Sequence, residues 1–409
     1  MKPRIVMTGM GVVSPWGAGT DVFWENLSRG RSAVRRLENP DLKDLPAGIA
    51  ATVPGIPALR FDLELRNTRP RVLNMALAAA EEAWLSAKLQ HPAQNHDKTA
   101  LCSSVGWGPY EEADLLSIAT SQLPADPSFL HRTQAGFGDA ALQRHFRIRG
   151  PVFSCLSACA ASTQALGYGC SLLQTGRADI CLAGGADSRI HILGAAGYSL
   201  LKALATGWEH APEIGSRPFD RNRNGFVMGE GAAFFILETL EHAEARGAAP
   251  KGEIAGHAVT CDAYRLTDPE PDGAGAASCI RLAIESAGLK PADIDYINAH
   301  GTGTPANDAA EVQALRRIFG DMASQIPISS FKSMFGHLSM ASGAIEVAGT
   351  LLALKNGILP PTLNCDDTEW PELDFVPHKP RTFQGRIALK NSFGFGGQNA
   401  CLVLKRFES

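Results

Sequence analysis

Strand-length apolar runs alternate with helix-length segments along this whole sequence, which restricts it to folds in which helices cover sheets. Arg4–Thr8 reads as a strand, and Thr20 is placed to cap a helix over Asp21–Arg29. Arg71–Lys88 carries a strong helical pattern, Thr99–Ser104 is a strand, and a helix ending near Gly176 leads into the strand Ile180–Ala183. The second half repeats this plan. Gly231–Glu238 and Lys251–Val259 read as strands, Gly273–Ala287 as a helix, Asp295–Ala299 as a strand and Asp308–Phe319 as a helix. Ser342–Asn356 is a further helix, and Arg386–Ser392 and Ala400–Lys405 are closing strands. The expectation is an α/β fold with a pseudo-duplicated core, divided into residues 1–245 and 246–409. Its site would lie where the strand ends of the two halves meet.

Composition removes several classes of function. The 409 residues are 45% hydrophobic and 20% charged, ample for one or two cores. A net charge of −4, with no run of Lys or Arg, argues against a nucleic-acid partner. No stretch reaches the about 18 apolar residues of a membrane-spanning helix. The opening Met1-Lys-Pro-Arg-Ile-Val-Met-Thr-Gly enters a first strand rather than a signal peptide. Nine cysteines without a secretion signal point to reduced thiols and a cytoplasmic protein. Cys155, Cys159, Cys170 and Cys181 match no zinc-site spacing and no clustered histidine completes them, so no metal is expected. Thr8-Gly-Met-Gly-Val-Val-Ser resembles the opening of a dinucleotide fingerprint. Ser14 replaces the third glycine and Pro15 follows, so the segment reads as a tight turn and no cofactor is expected.

Cys159 stands at a junction between the apolar run Pro151-Val-Phe-Ser-Cys-Leu-Ser-Ala-Cys and a helical segment. Small neighbours (Ala158, Ala160, Ala161) allow the backbone to turn sharply there. A thiol over a helix N-terminus is biased toward thiolate, which would activate it without a base nearby in sequence. Most cysteines in apolar surroundings only fill space. Three further segments single this one out. Asn298-Ala-His-Gly-Thr-Gly-Thr-Pro-Ala-Asn-Asp exposes His300 on a turn after a strand, and Ser329-Ser-Phe-Lys-Ser-Met-Phe-Gly-His carries Lys332 and His337. Asn391-Ser-Phe-Gly-Phe-Gly-Gly-Gln-Asn is a glycine-rich bend between the last two strands.

In these segments the chain resembles the elongating β-ketoacyl-acyl-carrier-protein synthases of the thiolase superfamily. The match runs end to end. It includes Val6-Met-Thr-Gly-Met-Gly-Val-Val-Ser-Pro, Ser157-Ala-Cys, Arg177-Ala-Asp-Ile-Cys-Leu-Ala-Gly-Gly-Ala-Asp, Ser216-Arg-Pro-Phe-Asp and Gly225-Phe-Val-Met-Gly-Glu-Gly-Ala. The resemblance implies a thiolase-like fold with a layered αβαβα core. It also implies decarboxylative condensation of an acyl thioester on Cys159 with a malonyl-acyl-carrier protein. His300 and His337 would donate to the enolate oxygen through Nε2, and the N–H groups of Cys159 and Phe393 would hold the tetrahedral oxyanion. Lys332 would form a buried ion pair with Glu311 that orders the histidines. Thr302 and Thr304 would meet the phosphopantetheine arm, with Trp107 and Tyr198 among the substrate-binding residues. Phe393 would gate the acyl pocket, with Gly394, Phe395, Gly396 and Gly397 as its moving loop. Arg66, Arg69, Arg71 and Lys202 fall near docking positions for an acidic carrier protein.

Three departures from the family pattern bear on the acyl chain rather than on the chemistry. Trp107 replaces a smaller residue, which predicts a shortened pocket that disfavours long saturated chains. Arg265 replaces a histidine in the second gating loop, and Met340 replaces a small residue near His337. A dimer is implied, either of identical subunits or with a non-catalytic ketosynthase-like partner in a specialised pathway. A non-catalytic scaffold is disfavoured by the intact Cys159, His300, His337 and Lys332. A degradative thiolase would carry a second catalytic cysteine in the glycine-rich bend, where this chain has none.

Overall fold

The structure, a computed structural model, describes residues 2–38, 48–61, 70–91, 96–106, 120 and 136–408. Its frame is a continuous twisted sheet. The principal strands are β1 (Ile5–Ser14), β2 (Thr99–Val105), β3 (Val152–Ser154), β4 (Ile180–Ser188), β5 (Met228–Thr239), β6 (Gly252–Cys261), β7 (Tyr296–Asn298), β8 (Ile328–Ser329), β9 (Ile387–Gly394) and β10 (Gln398–Lys405). Their order across the sheet is β8-β7-β9-β10-β6-β1-β5-β4-β2-β3. In one half β1 pairs antiparallel with β5, β5 antiparallel with β4, β4 parallel with β2, and β2 parallel with β3. The other half repeats the same sequence of pairings through β6, β10, β9, β7 and β8. The halves join where Ile5, Val6 and Met7 of β1 lie against Ile254, Glu253 and Gly252 of β6.

The principal helices are α1 (Thr20–Ser28), α2 (Arg71–Ser86), α3 (Phe137–Phe146), α4 (Ala161–Gln174), α5 (Ile192–Leu200), α6 (Ala274–Ser286), α7 (Pro305–Phe319) and α8 (Ser342–Asn356). Successive side chains of a strand point to opposite faces, so a strand covered on both sides must be apolar throughout. Leu101, Leu182, Phe234 and Ile236 face α2 and α3 on one outer side, whereas Ala100, Cys102, Cys181, Ala183, Phe235 and Leu237 face a central core. In the other half Ile297, Leu389, Cys401 and Val403 pack under α6 and α7, and Ala388, Leu402 and Leu404 face the centre. The central core is filled by α4 and α8, which touch strands of both halves. A helix buried on every side cannot be amphipathic, and α8 (Ser-Gly-Ala-Ile-Glu-Val-Ala-Gly-Thr-Leu-Leu-Ala) accordingly has no polar face. These are the five layers of a thiolase-like αβαβα fold.

Two local expectations are corrected. The run after Thr8 is not a tight turn: β1 continues to Ser14, with a register shift between Met7 and Gly9. Its glycines serve helix approach instead. A Cβ on Gly11 would stand 2.0 Å from the carbonyl oxygen of Ala79 in α2. Nor does Thr20 cap α1 through its side chain; it is the first helical residue, following Gly19. Its N–H and hydroxyl both donate to Glu82 of α2, at 2.8 and 2.7 Å, and the N–H of Val12 donates to the same carboxylate at 2.9 Å.

Gly11→Val forces a branched side chain into backbone that cannot give way. It is expected to cost about 3 kcal/mol or more, read as a lower denaturant midpoint at unchanged m-value. An unaltered midpoint would show that α2 does not rest on this strand as described.

Candidate active site

Cys159 follows β3 on a single 3-10 turn, Ala158–Ala160, that feeds directly into α4. Ala158 takes φ 46°, a left-handed conformation that costs a residue with a Cβ about 1–2 kcal/mol. That bend turns the sulfur into a cavity of about 250 Å³ whose lining includes Cys159, His300, His337, Phe393 and Phe395. The second half builds the same device. After β8 comes a 3-10 turn, Ser339–Ala341, whose first residue has φ 45°, and α8 follows.

The thiol is not the resting thiolate that a helix N-terminus alone predicts. Burial pushes it up to about 12, against the opposing pull of Lys332. Proton removal instead has a base in reach: Nε2 of His337 lies 3.0 Å from Sγ. Nδ1 of His337 lies 2.7 Å from the hydroxyl of Ser342, which also accepts the N–H of Leu338 at 2.9 Å. A hydroxyl can donate or accept, so Ser342 supports either neutral tautomer of that ring. The His337 main chain is clamped across the two halves. Its N–H donates to Val227 O at 2.7 Å and its carbonyl accepts the N–H of Gly229 at 2.9 Å, both at the start of β5.

His300 follows β7. Its N–H and that of Gly301 donate to the two oxygens of Glu311, each at 2.8 Å, and the amide of Asn391 donates to the same carboxylate at 3.1 Å. The ammonium of Lys332 donates to His300 O at 2.6 Å and lies 3.4 Å from its Nδ1, which leaves Nε2 as the N–H donor. The imidazoles meet edge to face, with centroids 5.5 Å apart. Both are held well below the ordinary imidazole range, by burial first and then by the charge on Lys332. The ligand atoms of Cys159, His300 and His337 all lie within 4.8 Å of one another.

Two of the expected partnerships are different in the structure. Lys332 pairs with Glu346 of α8, not with Glu311, whose oxygens are taken up by main-chain N–H groups. The amide that faces the thiol beside Cys159's own is that of Phe395, not Phe393. Phe393 is still in the β9–β10 ladder opposite Asn399, and its buried ring lies against His300 at 5.8 Å. Phe395 is the first residue of the turn, and Gly396 and Gly397 continue it at φ 87° and 73°. Gly394 is required by proximity: a Cβ there would stand 2.7 Å from Ser157 O.

Thr302 and Thr304 line the cavity with their hydroxyls 2.9 Å apart, and the exposed Lys202 lies at its mouth. Tyr198 of α5 stands behind Phe226, a cavity residue, with ring centroids 5.1 Å apart and its hydroxyl 2.8 Å from Ser339. Arg71 is no free docking charge. It donates to Glu230 at 2.6 Å and to Val53 O at 2.5 Å, so it braces the fold. The segment bearing Arg265 touches the glycine-rich bend: Gly396 N–H donates to Leu266 O at 2.8 Å, and Arg265 faces Asp268 at 3.3 Å. Met340 is buried with its N–H on Asp187. Trp107, Arg66 and Arg69 lie outside the described residues.

Sequence reasoning missed Ser342, Glu346, Lys390 and Asp308. Lone charges in otherwise apolar segments were the available signal for Glu346 and Lys390. Asp308 receives the N–H groups of Phe219, Thr302 and Gly303, which shapes the turn after His300.

With the thiol pushed up to about 12, its thiolate fraction rises tenfold per pH unit far below that value. Alkylation of Cys159 by iodoacetamide is therefore expected to climb through pH 7–9 without a plateau; a plateau near neutrality would reveal a resting thiolate. Ser342→Ala removes the one hydroxyl on Nδ1 of His337. It is expected to slow turnover about 10- to 100-fold while the fold persists, the cost of a lost buried hydrogen bond. Unchanged turnover would show that Ser342 does not set that ring.

Comparisons with known proteins identify the family. Residues 2–243 match the beta-ketoacyl synthase N-terminal domain and residues 251–366 the C-terminal domain. A 3-oxoacyl-[acyl-carrier-protein] synthase 2 from Rhizobium meliloti (strain 1021) is 39% identical over 419 residues, covering 99% of each chain. A solved type II PKS acyl-carrier protein in complex with its ketosynthase bound to the hexaketide superposes with TM-score 0.91 at 30% identity, covering 100% of both chains. The ishigamide ketosynthase/chain length factor does so with TM-score 0.90 at 33% identity, again with complete coverage of both. With the layered fold and the Cys-His-His cavity already established, these matches place the chain in the β-ketoacyl synthase family.

Proposed function

We propose that this protein condenses an acyl thioester with malonyl-acyl-carrier protein, releasing CO₂ and a β-ketoacyl-carrier protein. The observation that carries this reading is the convergence of one thiol and two neutral imidazoles on a single cavity. In the first half-reaction Cys159 Sγ attacks the thioester carbon. Nε2 of His337 takes the thiol proton and passes it to the departing phosphopantetheine sulfur, leaving the acyl group on Cys159. In the second, the malonyl C–C bond breaks to give CO₂ and an enolate. Its oxygen is met by Nε2–H of His300 and of His337. Between the half-reactions the His337 ring exchanges its proton with solvent, giving up the one on Nδ1 and taking one on Nε2, and the Ser342 hydroxyl turns to donate to Nδ1. The enolate carbon attacks the Cys159 thioester, and the N–H groups of Cys159 and Phe395 hold the oxyanion until the C–S bond breaks. The Cys159 sulfur leaves as thiolate and takes up one solvent proton by way of His337, which restores the thiol. Each such donor is worth about 2.7–4 kcal/mol in the transition state.

The acyl groups ride on phosphopantetheine, which reaches in past Thr302 and Thr304, and no added cofactor takes part. Lys202 at the mouth is the described residue best placed to meet an acidic carrier protein. The halves 1–245 and 246–409 are the units of duplication, one bringing the nucleophile and the other both imidazoles. A second ketosynthase-like subunit covers β3 at the edge of the sheet. Phe153, Leu156 and Tyr168 there are 43%, 52% and 41% exposed, an apolar group on an open strand edge. No described helix is long and apolar enough to cross a membrane. Trp107 remains the residue proposed to shorten the acyl pocket.

Intact-protein mass spectrometry with acyl-carrier thioesters from C4 to C16 tests these points together. A mass gain of one acyl group is expected on the wild type and none on Cys159→Ala, with C16 loading slower than C4 to C8 by about tenfold or more. Efficient C16 loading would remove the shortened pocket; acylation surviving in Cys159→Ala would remove the nucleophile.

A further inference from the structure

Lys390 has no task in the condensation just described, yet it is fully buried on β9. Its ammonium lies 2.9 Å from one oxygen of Glu346 while Lys332 holds the other. Two lysines therefore share one carboxylate, and all three side chains are sealed from water. Removing a second ammonium from water is costly, and packing alone would be met by an apolar chain of similar volume. Lys390 also donates to Asn391 O, and to the Ser392 hydroxyl at 3.1 Å. Ser392 meets Thr163 of α4 at 2.7 Å, near the turn that carries Cys159. Lys390 thus reaches His300 by two routes, through Glu346 and Lys332, and through Asn391 and Glu311.

We propose that Lys390 is a positioning residue of the reaction. It clamps Glu346 from the side opposite Lys332 and leaves the Lys-Glu-Lys set with one net positive charge beneath His300 and His337, so that both rings persist as neutral donors when the pH falls. The inference rests on the condensation reading. The groups facing Lys390 are Glu346 from α8, Lys332 from the turn after β8, Glu311 from α7, Cys401 from β10 and the two imidazoles. Glu311 keeps its own three N–H donors in every variant, so its contribution is the same throughout and the differences between variants report on Lys390. Glu346 and Lys332 offset each other. Loss of Lys390 then takes away a cation that opposes imidazole protonation. The rings protonate at higher pH, and the acid limb of activity moves upward.

The test is CO₂ release from malonyl-pantetheine by the full chain between pH 5 and 8, with Lys390→Met, Lys390→Gln and the double variant Lys390→Met/Glu346→Gln. Each single variant is expected to move the acid limb up by about half a pH unit or more, with KM within about twofold of the wild type. The double variant again carries one net positive charge, on Lys332, and is expected to return the limb toward the wild-type position. A limb unmoved in both single variants, or a double variant no better than Lys390→Met, overturns the proposal. So does failure of both single variants to fold, which would assign Lys390 to stability alone. A wild type that releases no CO₂ and leaves Cys159 unacylated would instead sink the condensation on which the inference rests.

Discussion

His337 ties the two halves of the chain together at the site. Its main chain is bonded on both sides to the start of β5, a strand that belongs to the other half, while its ring reaches the thiol of Cys159. Strand β5 is itself paired along its length with β1 and β4. The imidazole therefore inherits the stiffness of the sheet. A strand register shifted by one residue would turn every side chain to the opposite face, so the buried alternation of β5 fixes where the base stands. The place of the base thus follows from packing that serves stability in any case.

Burial then decides the protonation states. In a low-dielectric pocket the neutral form of each group is favoured, which suits imidazoles that must donate without carrying charge and a thiol that must wait for substrate. The same burial makes Lys332 costly unless it is paired, and Glu346 supplies the pair from the central helix layer. Main-chain N–H groups do the corresponding work for Glu311 and Asp308, which tie down the turn on which His300 sits. The charged residues around the site thus hold the histidines and their turns in place, and Lys332 also pulls on the Cys159 thiol.

Much of this was legible in the sequence, because strand-to-turn junctions leave local marks. The turns bearing Cys159, His300 and His337 were identifiable from glycines, small residues and the end of an apolar run. What could not be read was which distant group answers which. The family resemblance sets Lys332 against Glu311, and sequence does not say that main-chain amides have already taken that carboxylate. The choice of Phe393 over Phe395 as the amide donor turned on where β9 ends, and ladder ends are set by tertiary pairing with β10. Thr20 and the glycines after Thr8 were misjudged for a similar reason: both answer to α2, which lies far along the chain.

Ala158 and Ser339 open matching left-handed bends, one in each half, and each bend feeds a helix of the central layer. The molecule thus owns two pedestals of the same shape. On one it mounts sulfur; on the other, Met340 occupies the corresponding place and the neighbouring His337 points back across the seam. On the proposed mechanism, a polarity with acyl cargo bound on one side and proton traffic handled from the other is written in a few side chains over a backbone that is nearly indifferent to direction.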